Sequence, residues 1–245
     1  MSFWEHLDVL RGVLLRSAAA WFVCTVAAFV FRNALFTAVL APAHSDFVFY
    51  SMLRRCGIPL EDFDIHFINT ELAAQFTAHV EVAACIGLLV SFPLIAYFLY
   101  GFLSPALYLG ERRYVKVAFG AGSLLFLLGI AVNYFVVFPL SVRFLASYQV
   151  SGEVVNIISL SSYIGTLLTL SLCMGVVFEL PAVTYILGRM GLLNADIMRR
   201  YRRHALVAIV TAAAVITPTT DVFTLAVVTL PIYALYEVSI LTVRK

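Results

Sequence analysis

Charged residues are what this chain has least of. They make up 12% of its 245 residues, against 62% hydrophobic, with a mean hydropathy of +0.98. A soluble domain is about a quarter charged, so the composition excludes one and reads as an integral membrane protein. A net charge of +2 is too small to argue for a nucleic-acid partner. The four cysteines exclude a disulfide framework: Cys24, Cys85 and Cys173 fall inside apolar runs, and Cys56 has no exposed partner. No CxxC or Cys/His metal spacing occurs, and His44, His66 and His79 are scattered, so no metal or cofactor is expected. HExxH, GxSxG and Walker A patterns are also missing, which argues against an enzyme. Ala41-Pro42-Ala43 looks superficially like a signal-cleavage site. The apolar run before it is longer than a signal core and further spans follow, so an uncleaved first span is expected.

What the chain does have is long apolar runs. Stretches free of Asp, Glu, Lys and Arg cover 17–31, 82–110, 117–142, 154–178, 204–220 and 222–236. A span needs about 20 apolar residues at 1.5 Å rise. The second, third and fourth stretches qualify outright, and the first does if Arg32 snorkels to the headgroups. The last two would reach only ~25 Å and ~22 Å. The expectation is an all-α, six-helix membrane domain with a short fifth and sixth helix, which thin the bilayer or sit recessed.

Six spans place both termini on one side, and the cations choose it. Segments 1–16, 105–116 and 189–203, together with the tail, hold twelve Lys and Arg. The other face holds Arg32, Arg54, Arg55 and Arg143. The positive-inside rule makes the first set cytoplasmic. That leaves 42–79 and 140–160 as outer loops.

Within the first cytoplasmic loop, Glu111 stands beside Arg112, Arg113 and Lys116. One carboxylate on a positive surface suits a positively charged ligand. In the N-terminal segment, Ser2-Phe3-Trp4-Glu5 reads as a capping box, and Phe3, Leu7, Leu10 and Leu14 form an apolar stripe. Glu5, Asp8 and Arg11 line the other side, where the plainer reading is a solvated face with a weak Asp8–Arg11 pair. The first outer loop, with Phe47, Phe49, Tyr50, Phe63 and Phe67 among Asp46, Glu61, Asp62 and Asp64, reads as a folded cap. Pro139 is expected to stop span three.

Span four carries the clearest intramembrane signal. Ser171, Gly175 and Glu179 recur at i, i+4, i+8, and Pro181 should bend the helix behind them. An ionisable residue inside a span faces a cavity, a partner or a pathway, or it is a protonated structural Glu between helices. A proton-coupled secondary transporter with Glu179 as carrier is a rival reading. The paired broken helices and internal repeats of such transporters are not evident between the halves. Glu237, near the inner end of span six, reads as a snorkelling residue, and Pro231 gives that helix a bend.

Five motifs in order resemble one family. They are His6-Leu7-Asp8-Val9-Leu10-Arg11; Phe102-Leu103-Ser104-Pro105-Ala106-Leu107-Tyr108 with Glu111-Arg112-Arg113; Tyr134 to Leu140; Phe178-Glu179-Leu180-Pro181; and Thr217-Pro218 with Asp221-Val222-Phe223. Over nearly the whole chain they resemble TatC, the polytopic receptor subunit of the twin-arginine translocase. The resemblance implies a glove-shaped six-helix protein of the cytoplasmic (inner) membrane, with no cofactor. It implies binding of twin-arginine signal peptides at the cytoplasmic face and gathering of single-span subunits of the TatA and TatB type. It further implies self-association in the membrane lipid and export of folded proteins driven by the proton-motive force. Carried onto this chain, Glu111 binds the arginine pair with help from Arg11, Asp8 and Phe102. Glu179 lines the concave membrane face, while Pro42, Thr217 and Asp221 belong to the outer cap and partner-binding hairpin. Three positions depart from the family pattern: Val9 replaces a Glu, Pro-Thr-Thr-Asp replaces Pro-Pro-Asp, and Leu225 replaces a polar residue. Asp8 lies beside the replaced Glu but about 100° around the helix.

Overall fold

The computed structural model describes residues 3–57, 63, 65–106, 108–149, 156–217 and 221–243. The Ser2 cap, the acids Glu61, Asp62 and Asp64, Leu107, and the Pro218-Thr219-Thr220 turn lie outside the described residues. Among the described residues the regular structure is helical apart from two two-residue strands, Phe67–Ile68 and Ile158–Ser159, paired in parallel.

Eleven α-helices occur among the described residues: α1 (Phe3–Val30), α2 (Arg32–Leu40), α3 (Val48–Arg55), α4 (Ala74–Leu103), α5 (Leu109–Val132), α6 (Phe138–Ser147), α7 (Leu160–Phe178), α8 (Leu180–Arg189), α9 (Ala195–Arg200), α10 (Arg202–Ile216) and α11 (Val222–Thr242). Five continuous helical stretches are long and apolar enough to cross a membrane, and the 15-residue α10 supplies the short pass beside them. Six passes result, and contacts at one end tie the turns together. His6 stacks on Phe102, Arg189 sits over Tyr114, and Val243 packs where Gly188 leaves room. This basic end carries Phe3 and Val243, and the described parts of 42–79 and 140–160 meet at the other, where the two short strands pair.

The helices run further than the charge-free stretches. Residues 3–16 form the opening turns of α1 itself, and α4 begins eight residues before position 82. α6 carries helix to Ser147, α9 occupies part of 189–203, and α5 takes in Glu111 to Lys116. A helix need not end where its first ionisable residue meets the headgroups. Most instructive is α11, whose 21 residues pass through Glu237 and reach about 31 Å. Glu237 does not merely snorkel: its Oε2 takes a hydrogen bond from Arg202 at 2.7 Å and its Oε1 one from Tyr233 at 3.1 Å. Even so, α10 and α11 remain the shortest passes.

Pro139 does not stop span three. A π-helical segment, Asn133–Val137, absorbs the missing N–H, with Phe138 N–H donating five residues back to Asn133 O. Span four does break where Pro181 suggests, giving α7 and α8 with Glu179 between them. Side-chain caps open several helices: Ser159 accepts from Ser162 N–H, Asn194 from Asp196 N–H, and Asp221 from Thr224 N–H.

α7 is the spine of the core, with Tyr163, Ile164, Leu167, Leu170, Met174 and Phe178 all buried. α5 lies along it, α4 flanks both, and α1 packs chiefly on α4. On the other side α11 packs on α8, and α10 packs chiefly on α11. α1 is the least buried of the five long apolar stretches, its contacts made chiefly along the face it lays on α4.

Candidate functional site

At the basic end α4 runs out through a 3₁₀ turn (Ser104–Ala106), and α5 opens after Tyr108. Glu111 is the third residue of α5 and folds back over that opening. Its Oε2 accepts from Tyr108 N–H at 3.2 Å, and its own N–H donates to Tyr108 O at 2.9 Å. The carboxylate thus satisfies a first-turn donor and favours the positive end of the helix dipole. It is half-buried, and it forms no ion pair with Arg112, Arg113 or Lys116 among the described residues. Chemically this is an anion with one oxygen held by the backbone and further acceptor capacity remaining.

The other residues assigned to this face do not all converge on it. Phe102 is covered by the His6 ring at 4.5 Å between centroids, which brings the start of α1 to the turn. Asp8 and Arg11 are both exposed, and neither forms an ion pair among the described residues, so the weak pair suggested by their spacing is not made. Instead Val9, Val13 and Arg16 face the α4 end, across a 450 Å³ cavity from Phe102 and Arg112. Arg16 and Arg112, 96 residues apart in the chain, carry no motif that would have paired them.

Glu179 lies deeper, at the α7–α8 break. Ser171, Gly175 and Glu179 do share one face, and that face is turned to α5. Asn133 Nδ2 donates to Ser171 Oγ at 2.9 Å, a Cβ on Gly175 would sit 2.7 Å from Phe126 Cε2, and the Glu179 carboxyl rests against Gly122. Gly122 was not singled out by the sequence, since one glycine in an apolar helix carries no signal. It is the seat that admits this carboxyl between two helices. Glu179 Oε1 is buried without a hydrogen-bond partner, which is costly for any polar atom and makes the position receptive to a donor.

Pro42, Thr217 and Asp221 lie at the cap end. Pro42 is buried, and its carbonyl accepts from Tyr50 OH at 3.1 Å; the same hydroxyl also reaches Pro139 O at 2.9 Å. Burial pushes the Tyr50 phenol well above its usual pKa, against the opposing charge of Arg143, so it remains a donor. Tyr134 OH donates to Ala38 O at 2.6 Å and Tyr163 OH to Val39 O at 3.1 Å. Thr217 is buried and returns its hydroxyl to Ala213 O, while Asp221 caps α11. Phe144 of α6 stacks on Phe223 at 4.4 Å, which joins the hairpin to the rest of the cap.

Comparison with known proteins gives a consistent result. The family model described as Sec-independent protein translocase protein (TatC) matches residues 5–231. The TatC of Deinococcus radiodurans is 36% identical over 241 residues, covering 98% of this chain and 84% of the relative. That of Escherichia coli K12 is 32% identical over 235 residues, covering 96% and 85% respectively. Among solved structures, a crystal structure of the twin-arginine translocase receptor TatC superposes with a TM-score of 0.79 at 26% identity, covering 98% of this chain and all of that one.

Proposed function

This chain belongs to the TatC family of Sec-independent protein translocase proteins, and from that membership we propose that it is the receptor subunit for twin-arginine signal peptides. It is a multi-pass membrane protein and a component of that translocase, not an enzyme. In the proposed arrangement it lies in the cytoplasmic membrane with both termini inside. The distribution of its cations, twelve against four, supports that orientation. Single-span subunits of the TatA and TatB type and further copies of this chain assemble around it. The proton-motive force drives the export of folded substrates.

One observation carries the receptor reading: Glu111 is held at the basic end by a backbone N–H and forms no ion pair among the described residues. Arginine presents a planar fork that a carboxylate accepts in two parallel bonds, which lysine cannot reproduce. A charge-assisted bond of this kind contributes about 1.5–3 kcal/mol. Glu111 therefore governs selectivity more than total affinity, with Phe102, Arg11 and Asp8 shaping the surface around it. The apolar part of the signal extends toward Glu179, whose unpartnered buried oxygen takes a donor there. Pro42, Thr217 and Asp221 belong to the outer cap and hairpin where single-span partners dock.

Site-specific crosslinking tests the central step. A photoreactive residue at position 111 should capture a twin-arginine peptide, and a lysine-lysine version of that peptide should give a much weaker adduct. Glu111→Ala and Glu111→Lys should insert normally and lose export. Export at wild-type rates in either variant refutes the role of Glu111. Glu179→Ala should keep the crosslink and lose transport; failure to insert would instead mark Glu179 as a structural residue.

A further inference from the structure

Two cavities at the basic end share a wall. The first, of 390 Å³, runs between α4 and α5 and is lined by Pro93, Gly120, Ser123, Leu124 and Leu127. It is almost wholly apolar, and Lys116 stands toward its basic end. The second is the 450 Å³ cavity whose polar lining includes Arg16 and Arg112. Tyr97 and Tyr100 line both, and Tyr100 OH lies 3.5 Å from Arg112 O. Arg112 and Lys116 are four residues apart on α5 and so share a face of that helix. Three cations thus edge two adjoining cavities, one of them almost wholly apolar.

Among the described residues no Asp or Glu lines either cavity. Arg16, Arg112 and Lys116 form no ion pair among the described residues, and Arg112 Nε is buried without a hydrogen-bond partner. A half-buried guanidinium in that condition gains most from an anion that accepts in two directions, as phosphate does. The apolar arm opens between exposed Tyr97 and Leu124, facing the hydrocarbon, where lipid chains and not water are at hand. Adding a Cβ at Gly120 would meet nothing within 4 Å, so the crevice is open at its middle.

We propose that these adjoining cavities hold one anionic phospholipid, its phosphate on Arg16, Arg112 and Lys116 and an acyl chain in the α4–α5 crevice. The cluster repels a guanidinium, so this site is distinct from the Glu111 carboxylate and does not depend on its receptor role. A zwitterionic lipid brings its own ammonium to three cations and is the weaker ligand. Each cation near an anionic lipid surface contributes about 1 kcal/mol, or roughly a fivefold change in retention per cation.

Native mass spectrometry of the purified full chain, titrated with phosphatidylglycerol or phosphatidylcholine, reads this directly. Wild type should retain phosphatidylglycerol in preference to phosphatidylcholine. Arg16→Gln and Arg112→Gln should each reduce that preference about fivefold and the double variant roughly twenty-five-fold. Gly120→Leu fills the crevice and should reduce retention of both lipids, whatever their headgroup. Arg16 is exposed, so its variant serves if Arg112→Gln proves unstable. Equal retention of the two lipids by wild type overturns the proposal, as does insensitivity to Arg16→Gln. So does full displacement of phosphatidylglycerol by millimolar inorganic phosphate, which would mean an anion site without a lipid chain.

Discussion

Replacing Gly129 by alanine should pry α5 from α7. A Cβ at that position would lie 2.6 Å from Met174 O, 2.7 Å from Phe178 Cγ and 2.8 Å from Phe178 Cβ. Carbon contacts settle near 3.5–4.0 Å, so the helices must separate by about 1 Å. Neither neighbour can swing aside, because one is backbone and Phe178 is buried in the core. Overpacking of this kind costs about 1–3 kcal/mol. One turn further on, at the start of the π segment, the 2.9 Å Asn133–Ser171 bond would stretch beyond hydrogen-bonding range, adding about 0.5–1.5 kcal/mol. The sum, ~1.5–4.5 kcal/mol, corresponds to a fall of roughly 3–18 °C in the unfolding midpoint for a chain of this size. Gly120→Ala is the internal control, since its Cβ meets open space and the exchange should stabilise by about 0.4–1 kcal/mol. Both can be measured in detergent from the reaction of a thiol dye with buried Cys85, in a Cys56→Ser background that removes the exposed thiol. Equal midpoints for the two alanine variants would refute the claim that close approach at Gly129 holds these helices together.

Three further outcomes follow from the same contacts. Tyr50→Phe leaves the Pro42 and Pro139 carbonyls without their shared donor and should cost about 1–3 kcal/mol, read as faster amide exchange over residues 34–44. Gly122→Ala pushes the Glu179 carboxyl off its seat; because the displaced group is the end of a flexible side chain, export should fall while the midpoint moves less than for Gly129→Ala. Arg202→Ala removes the partner of Glu237, but the two side chains are 47% and 33% exposed, so the loss should stay below about 1 kcal/mol and shrink further in high salt.

The parts of the fold that could be read in advance are those written in local chemistry. The apolar runs locate the passes, Pro181 locates the break in the fourth, and the Ser171–Gly175–Glu179 spacing gives the face that turns to α5. Helix ends were less legible, because counting to the first charge stops a helix where its environment changes, not where its hydrogen bonds stop. α11 continues through Glu237 since Arg202 waits across the neighbouring helix, a pairing 35 residues apart that no window on α11 contains. Pro139 misleads for a related reason: the π segment before it absorbs the lost donor, and nothing in Asn133-Tyr134-Phe135-Val136-Val137 announces that geometry. At the basic end Glu111 stood out as a lone acid among cations. The meeting of Arg16 with Arg112, and the seating of Glu179 on Gly122, depend on which helices lie side by side and could only be seen once they did.

The three phenols at the cap have a mechanical consequence. Tyr134, Tyr163 and Tyr50 hold Ala38, Val39 and Pro42 from the π segment, from α7 and from α3, so the far end of the first pass is bolted to the bundle at three points. At the opposite end the start of α1 meets α4 through the His6–Phe102 stack, beside a 450 Å³ cavity, so displacement of the first pass should be smallest at the cap and grow toward that end.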